Sequence, residues 1–150
     1  MMRLPRFVLF GLTALIASSA MAEVDRSPRP GGVYRLKPGL FVASGARCQD
    51  PANAALRRYD GKGISTAHTR ACVARVLSKR RSGYGYRYSV TQSCIDAGSG
   101  PGKRFTERQT IDVPDALTFS MPAKGGTTYR YCPLDQLPPE LRSAAPASHP

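Results

Sequence analysis

The stretch from Tyr84 to Cys94 reads Tyr-Gly-Tyr-Arg-Tyr-Ser-Val-Thr-Gln-Ser-Cys and decides the fold class. Successive side chains of a β-strand point to opposite faces, so every second residue of such a stretch shares a face. One of the two sets is mostly apolar and consists of Tyr84, Tyr86, Tyr88, Val90, Gln92 and Cys94. The pattern predicts a half-buried strand whose apolar face must be covered by other strands.

The neighbouring sequence supplies those strands as short runs between turn signals such as Pro38-Gly39 and Asp60-Gly61. The expected fold is all-β, with about eight short strands in a small antiparallel, largely up-and-down barrel or a strongly twisted sheet or sandwich. A short helical turn is expected near 51–56, where Asp50 can cap an alanine-rich segment.

For three of these runs the sequence also predicts whether they form strands and where those strands lie in the sheet. The run 33–37 is predicted to be a short strand. The run 71–80 is apolar on both faces and is predicted to be a central strand, whereas the less apolar run 104–113 is predicted to be an edge strand. The glycine-rich segment 96–103 lacks the spacing of a phosphate-binding loop and is predicted to be a plain strand connection.

The first residues have the order of a secretory signal peptide. A short basic segment with Arg3 and Arg6 precedes an apolar run from Phe7 to Ile16, and the segment ends in Ala-Met-Ala at Ala22. The apolar run is far shorter than the roughly 20 residues of a membrane-spanning helix. The sequence therefore predicts export to the periplasm or the exterior, with residues 1–22 removed and no transmembrane segment left.

The remaining chain has the length of one domain. Residues 23–32 are rich in proline and glycine and are predicted to form a flexible leader, followed by a disulfide-stapled β domain at 33–141 and a disordered tail at 142–150.

All four cysteines follow the signal segment, and an even count in an exported chain predicts two disulfides. Four cysteines allow three pairings. A Cys72–Cys94 bridge would join strands that their own ladder already holds, whereas Cys48–Cys72 would clamp the irregular segment after Cys48 onto a central strand. The predicted pairing is therefore Cys48–Cys72 and Cys94–Cys132.

The chain is strongly basic, with a formal net charge of +12 at pH 7. Such a charge favours an acidic protein or an anionic envelope polymer as partner. Nucleic acid is not expected, because export removes the chain from most of it and because tyrosines spaced along one face of a strand are more often core residues than a stacking platform.

The densest basic and aromatic cluster lies at a predicted hairpin tip, which suits docking on carboxylates or phosphates. Its members are Lys79, Arg80, Arg81, Tyr84 and Arg87. The competing interpretation is that these charges only keep the hairpin end soluble and prevent edge pairing.

Groups suited to catalysis are scarce. His68 is the only histidine inside the predicted domain, and Glu107 shares the strand face of Phe105 and Ile111. Both have ordinary alternatives, a solvated loop histidine and a carboxylate paired with an arginine. The spacing of histidine, cysteine and carboxylates predicts no metal site, and no cofactor is expected.

The general layout is similar to that of small periplasmic β-barrel inhibitors such as those directed at lysozymes. No inhibitor motif accompanies the layout, so the resemblance implies no functional residues, and a basic chain would be repelled by commonly basic lysozymes. The leading hypothesis is an exported, non-enzymatic binding module, such as an inhibitor or envelope accessory protein, with an acidic partner. The alternatives are an envelope protein that binds anionic polymer by charge and a small hydrolase with a site near His68 and Glu107.

Overall fold

A computed structural model describes residues 29–98 and 100–143, without the side chain of Lys124. The predicted signal peptide, most of the leader and most of the tail lie outside the described residues. The described end of the leader is attached to the domain, because the Gly31 amide donates to Leu36 O at 3.0 Å. At the other end Arg142 belongs to a short helix and its Nε donates to Leu137 O at 2.7 Å. Residues at both ends of the described chain are thus hydrogen-bonded to neighbouring segments.

The described chain forms one antiparallel sheet of eight strands in the order β3-β2-β1-β8-β7-β6-β5-β4, which confirms the predicted all-β class. The strands are β1 Gly39–Ala43, β2 Leu56–Tyr59, β3 Ile64–Ser65, β4 Thr69–Ser82, β5 Gly85–Asp96, β6 Arg104–Asp115, β7 Thr118–Met121 and β8 Thr127–Cys132. Three short 3-10 turns cover Asn53–Ala55, Pro122–Lys124 and Leu134–Gln136, and a single helical turn α1 covers Pro139–Arg142. The turn at Asn53–Ala55 confirms the helical turn expected near 51–56.

The sheet curls until its two ends meet, so the domain is a nearly closed barrel. The Ala74 amide of β4 donates to Lys62 O just before β3 at 2.8 Å. Gln92 on β5 also reaches β3, since its Oε1 accepts from the Ile64 amide at 2.8 Å and its Nε2 donates to Ile64 O at 3.0 Å. On the side of Ile64 that faces away from β2, the side-chain amide of Gln92 therefore makes the two backbone hydrogen bonds that a neighbouring strand would otherwise make.

Strand β5 has the faces that its sequence predicts. Tyr88, Val90, Gln92 and Cys94 are buried, and the residues between them are more exposed. Tyr84 is the exception, because it occupies the hairpin tip outside the strand and is fully exposed.

Three strand predictions are wrong. The run 33–37 is a turn rather than a strand. Strand β4 is at the end of the strand order rather than in its centre, and Val73 and Leu77 are about half exposed. Strand β6 lies between β5 and β7 rather than at an edge. Apolar content is a poor guide here because a residue's burial depends on which strands cover it.

The core consists of two clusters. The larger is rich in aromatic side chains and fills the barrel; its buried members include Tyr34, Phe41, Tyr59, Tyr88, Val90, Ile111 and Phe119. The smaller lies beside the end of β8 and contains Leu40, Val42, Cys48, Leu56, Cys132 and Leu137.

The disulfides are Cys48–Cys132 and Cys72–Cys94, so the predicted pairing is wrong. Between Arg70 and Val73 the register of β4 shifts against β5, which leaves two residues of β4 opposite Cys94. This β-bulge brings the Cα atoms of Cys72 and Cys94 to 4.1 Å, close to the separation of a non-hydrogen-bonded antiparallel pair. Cys48 is left to pair with Cys132, and both are buried in the smaller cluster.

Two buried tyrosines differ in how their hydroxyl groups are satisfied. The Tyr59 hydroxyl donates to Gly31 O at 2.7 Å and accepts from the Tyr34 amide at 3.1 Å. The Tyr34 hydroxyl is buried and has no hydrogen-bond partner among the described residues.

This difference predicts opposite effects of removing each hydroxyl. Tyr59→Phe should lower the free energy of unfolding by about 2–3 kcal/mol, because it leaves two backbone groups without a partner. Tyr34→Phe should be neutral or stabilise by up to about 1 kcal/mol, because it removes a buried group that makes no hydrogen bond. Urea denaturation of both variants at pH 7 measures the contrast, and equal losses would contradict it.

Candidate functional site

The hairpin joining β4 and β5 does not present its basic residues as one cluster. Lys79 and Arg81 pair in register with Tyr88 and Tyr86 and share their face. The Lys79 ammonium lies 3.9 Å from the centroid of the Tyr86 ring, which satisfies its charge locally. The tip cluster predicted from the sequence is therefore divided between the two faces of the hairpin.

Arg80 and Arg87 lie on the opposite, outer face of the same hairpin, directly across from each other. Arg87 forms a two-pronged ion pair with Asp112 of β6, with Nε–Oδ1 at 2.6 Å and Nη2–Oδ2 at 2.7 Å. This hydrogen bond and the charge of Asp112 raise the pKa of Arg87. The guanidinium of Arg87 is therefore held in place, while that of Arg80 has no partner among the described residues.

The outer face of β4, β5 and β6 carries further arginines that the sequence analysis did not single out. Thr91 of β5 has Arg75 of β4 as its partner on one side and Arg108 of β6 on the other. Partners in register project on the same side of a sheet, so the two arginines flank the threonine, with their Cα atoms roughly 10 Å apart across two strand spacings. Both arginine side chains are exposed and have no partner among the described residues.

We call this surface the arginine face and define it by Arg75, Arg80, Arg87, Arg104 and Arg108. Half-buried hydroxyl residues lie between these arginines along β5, namely Ser89, Thr91 and Ser93. Arg104 Nη1 donates to Ser93 Oγ at 3.3 Å. The result is a basic surface with hydroxyl groups at its centre. Among the described residues, Asp112 forms an ion pair with one of its arginines, Arg87.

A second β-bulge builds this face. Val76 of β4 is the partner of Val90, and Ser78 is the partner of Ser89, so Leu77 is an extra residue. One extra residue reverses the alternation of the strand. Arg75 and Arg80 are five positions apart and would otherwise point to opposite faces; the bulge places them on the same one. The sequence alone shows only one part of the arginine face, which is the alternation along β6 of Arg104, Thr106, Arg108 and Thr110.

Strand β4 also carries exposed apolar side chains. Val73, Val76 and Leu77 are 52%, 37% and 46% exposed. Val73 is the partner of Ser93 and projects on the arginine face, whereas Val76 is the partner of buried Val90 and projects on the inner face of the sheet.

The two residues of the hydrolase hypothesis are separated. Glu107 is half-buried and lines a cavity of about 210 Å³ inside the barrel mouth, together with Thr66 and Thr69. His68 is exposed and does not line this cavity; its amide donates to Thr66 Oγ1 at 3.1 Å.

The remaining segments named in the sequence analysis lie as follows. The segment 96–103 connects β5 to β6, and Arg70 Nη2 donates to Pro101 O at 3.2 Å. Tyr88 is buried and Tyr86 is half-buried beneath Lys79, so the tyrosine stripe belongs to the core. Among the described residues, no histidine, cysteine and carboxylate side chains gather into a metal-binding group, and no helix has the length and hydrophobicity needed to cross a membrane.

Comparison of the chain with protein families, with curated proteins and with solved structures finds no match.

Proposed function

We propose that this protein is an exported, non-enzymatic binding module that holds an acidic protein partner on its arginine face. The observation that carries the proposal is the arrangement of Arg75 and Arg108 on either side of Thr91, with no partner for either guanidinium among the described residues. Arg87 on the same face is held by Asp112, whereas these two guanidinium groups are exposed and can reach a carboxylate of another molecule.

Arginine suits this role because its planar guanidinium binds a carboxylate through two parallel hydrogen bonds. The contact between Arg87 and Asp112 has that geometry on the same face. Fixed positive charge also accelerates the encounter with an acidic partner and excludes basic ones.

An exposed apolar residue on the arginine face favours a protein over an anionic polymer. Val73 is 52% exposed and lies in the row of Ser93 on the arginine face, two residues before Arg75. Protein interfaces combine an apolar centre with charged groups at the rim. A polymer bound by charge alone gains nothing from an apolar side chain, so the position of Val73 beside Arg75 supports an acidic protein as partner.

Reversal of charge on the arginine face tests the proposal. Arg75→Glu/Arg108→Glu should weaken binding of a glutamate-leucine alternating peptide by tenfold or more at low salt and should flatten the salt dependence of its dissociation constant. The measurement is a fluorescence anisotropy titration at several salt concentrations. The matched control is Arg47→Glu/Arg58→Glu, which changes the net charge equally at two exposed positions outside the arginine face.

Two outcomes would overturn the proposal. Equal weakening by the control pair would show that binding follows overall charge. Equal affinity for a glutamate-serine peptide of the same length and charge would show that apolar contacts contribute nothing, which favours the anionic polymer.

A further inference from the structure

The cavity in the barrel mouth contains two buried polar atoms whose hydrogen bonds are incomplete. Gln109 is 6% exposed and lines the cavity, and its Oε1 has no hydrogen-bond partner among the described residues. Arg57 lines the same cavity, and its buried Nε has no acceptor there. A buried polar group without a partner costs free energy, so native proteins leave such groups mainly where water or a ligand completes them.

Reorienting the Gln109 amide does not resolve its missing bond. Gln109 Nε2 donates to Glu107 Oε1. Exchanging the two amide atoms would turn the carbonyl oxygen towards a carboxylate and lose this hydrogen bond. The Gln109 oxygen therefore remains an acceptor in need of a donor.

Other polar groups of the cavity are already engaged. Both amide atoms of Gln92 bind the backbone of Ile64, and the hydroxyl groups of Thr66 and Thr69 lie 3.2 Å apart and share a hydrogen bond. Arg57 Nη1 donates to the carbonyl oxygens of Ala54 and Leu56, which fixes the guanidinium and leaves Nε directed elsewhere. A ligand that completes these hydrogen bonds must therefore donate one to Gln109 Oε1 and accept one from Arg57 Nε.

The charged and apolar residues that line the cavity limit the chemical class of ligand that it can bind. A carboxylate, Glu107, stands beside the acceptor Gln109, and the cation Arg57 supplies the unmatched donor. An ammonium group suits the first position and a carboxylate the second. Phe105, Met121 and Ile64 add an apolar wall. The cavity volume of about 210 Å³ is less than a drug-sized ligand requires.

We propose that the barrel mouth binds a small zwitterion of the free amino acid class, with its ammonium group on Gln109 beside Glu107, its carboxylate on Arg57 Nε and an aliphatic side chain against Phe105 and Met121. This site is separate from the arginine face, so it does not depend on the proposed function.

Three probes of the same carbon skeleton test this site. L-leucine carries both charged groups, 3-methylbutylamine carries only the ammonium group, and 4-methylpentanoate carries only the carboxylate. Binding is followed by NMR chemical shifts of the Gln109 side-chain amide and by calorimetry. L-leucine should bind saturably and at least tenfold more tightly than either analogue, because each analogue leaves one buried polar group unmatched.

Variants assign the two contacts separately. Gln109→Leu should weaken L-leucine binding at least tenfold. Arg57→Met keeps an aliphatic stem against Tyr129 and should abolish the preference for L-leucine over 3-methylbutylamine. The matched control is Arg58→Met, the exposed neighbour of Arg57 on the other face of β2, which should bind like the unmodified protein.

Absence of saturable L-leucine binding would overturn the proposal and leave water as the occupant of the cavity. Affinities for the three probes within threefold of one another would also overturn it, as would retention of the L-leucine preference in Arg57→Met. The Arg57→Met result decides the question even if Gln109→Leu fails to fold.

Discussion

Replacing Cys48 and Cys132 together by alanine is expected to lower the free energy of unfolding by about 4–5 kcal/mol, the largest single effect in this protein. The two cysteines are 84 positions apart, so their bridge restricts a long loop of the unfolded chain. On the chain-entropy account of disulfides, stabilisation grows with the length of that loop. The loss approaches the whole stability of a typical small domain.

The other disulfide is the natural comparison. Cys72 and Cys94 are 22 positions apart and join β4 to β5, which are already paired from Thr69 to Ser82. The same account gives about 3.4 kcal/mol for this shorter loop. The expected loss for Cys72→Ala/Cys94→Ala is smaller still, because the hairpin ladder limits the same freedom in partly structured states.

Guanidinium chloride denaturation of the two double variants measures this difference. Each variant must first be shown to keep its remaining disulfide by non-reducing peptide mapping. A larger loss in Cys72→Ala/Cys94→Ala than in Cys48→Ala/Cys132→Ala would contradict the prediction.

The second large effect is unfolding at alkaline pH. Burial, with a smaller contribution from neighbouring Asp60, raises the pKa of Tyr59 from 10.0 to about 12. Burial likewise raises the pKa of Tyr34, with added repulsion from Tyr59 and Tyr88. The folded chain therefore keeps both tyrosines protonated at pH values where the unfolded chain loses those protons.

The direction of the effect follows from proton linkage. Above pH 10 the unfolded state binds fewer protons than the folded state, so the free energy of unfolding falls as pH rises. The stabilisation is complete below pH 10 and is lost as pH rises through the raised pKa values. Tyr59 alone should contribute a loss of about 2 kcal/mol by pH 12, and Tyr34 adds to it.

Equilibrium denaturation at pH 8, 10, 11 and 12 measures the decline, with tyrosinate absorbance recorded in parallel. Tyr34→Phe should make the decline shallower, because one buried ionisable group is gone. Tyr84→Phe is the matched control, since Tyr84 is fully exposed, and should leave the decline unchanged. A free energy of unfolding that is constant from pH 8 to pH 12 would contradict the prediction.

The arginine face and the cavity depend on different parts of the barrel. The face is built on the exposed side of β4, β5 and β6, whereas the cavity lies inside the mouth and is lined by Gln92 and Gln109 of the same strands. Because side chains alternate in direction along β5 and β6, the same strands provide the basic outer face and the lining of the cavity. Variants of one surface are suitable controls for the other.

The sequence by itself determined the features that depend on near neighbours. The alternation from Tyr86 to Cys94 predicts the buried face of β5, because side-chain direction in a strand depends only on position along it. The turn after Asp60 is similarly local, since Asp60 Oδ1 accepts from the amides of Lys62 and Gly63. The all-β class follows from the same local patterns.

Only the tertiary structure decided the strand order, the disulfide pairing, the arginine face and the cavity. Strand order rests on contacts between distant segments, and the apolar pattern of 71–80 does not reveal that β4 ends the sheet. The extra residues in β4 beside Cys72 and at Leu77 shift its register, which brings Cys72 to Cys94 and places Arg75 and Arg80 on one face. A bulge exists only relative to a partner strand, so a single strand's sequence does not contain it.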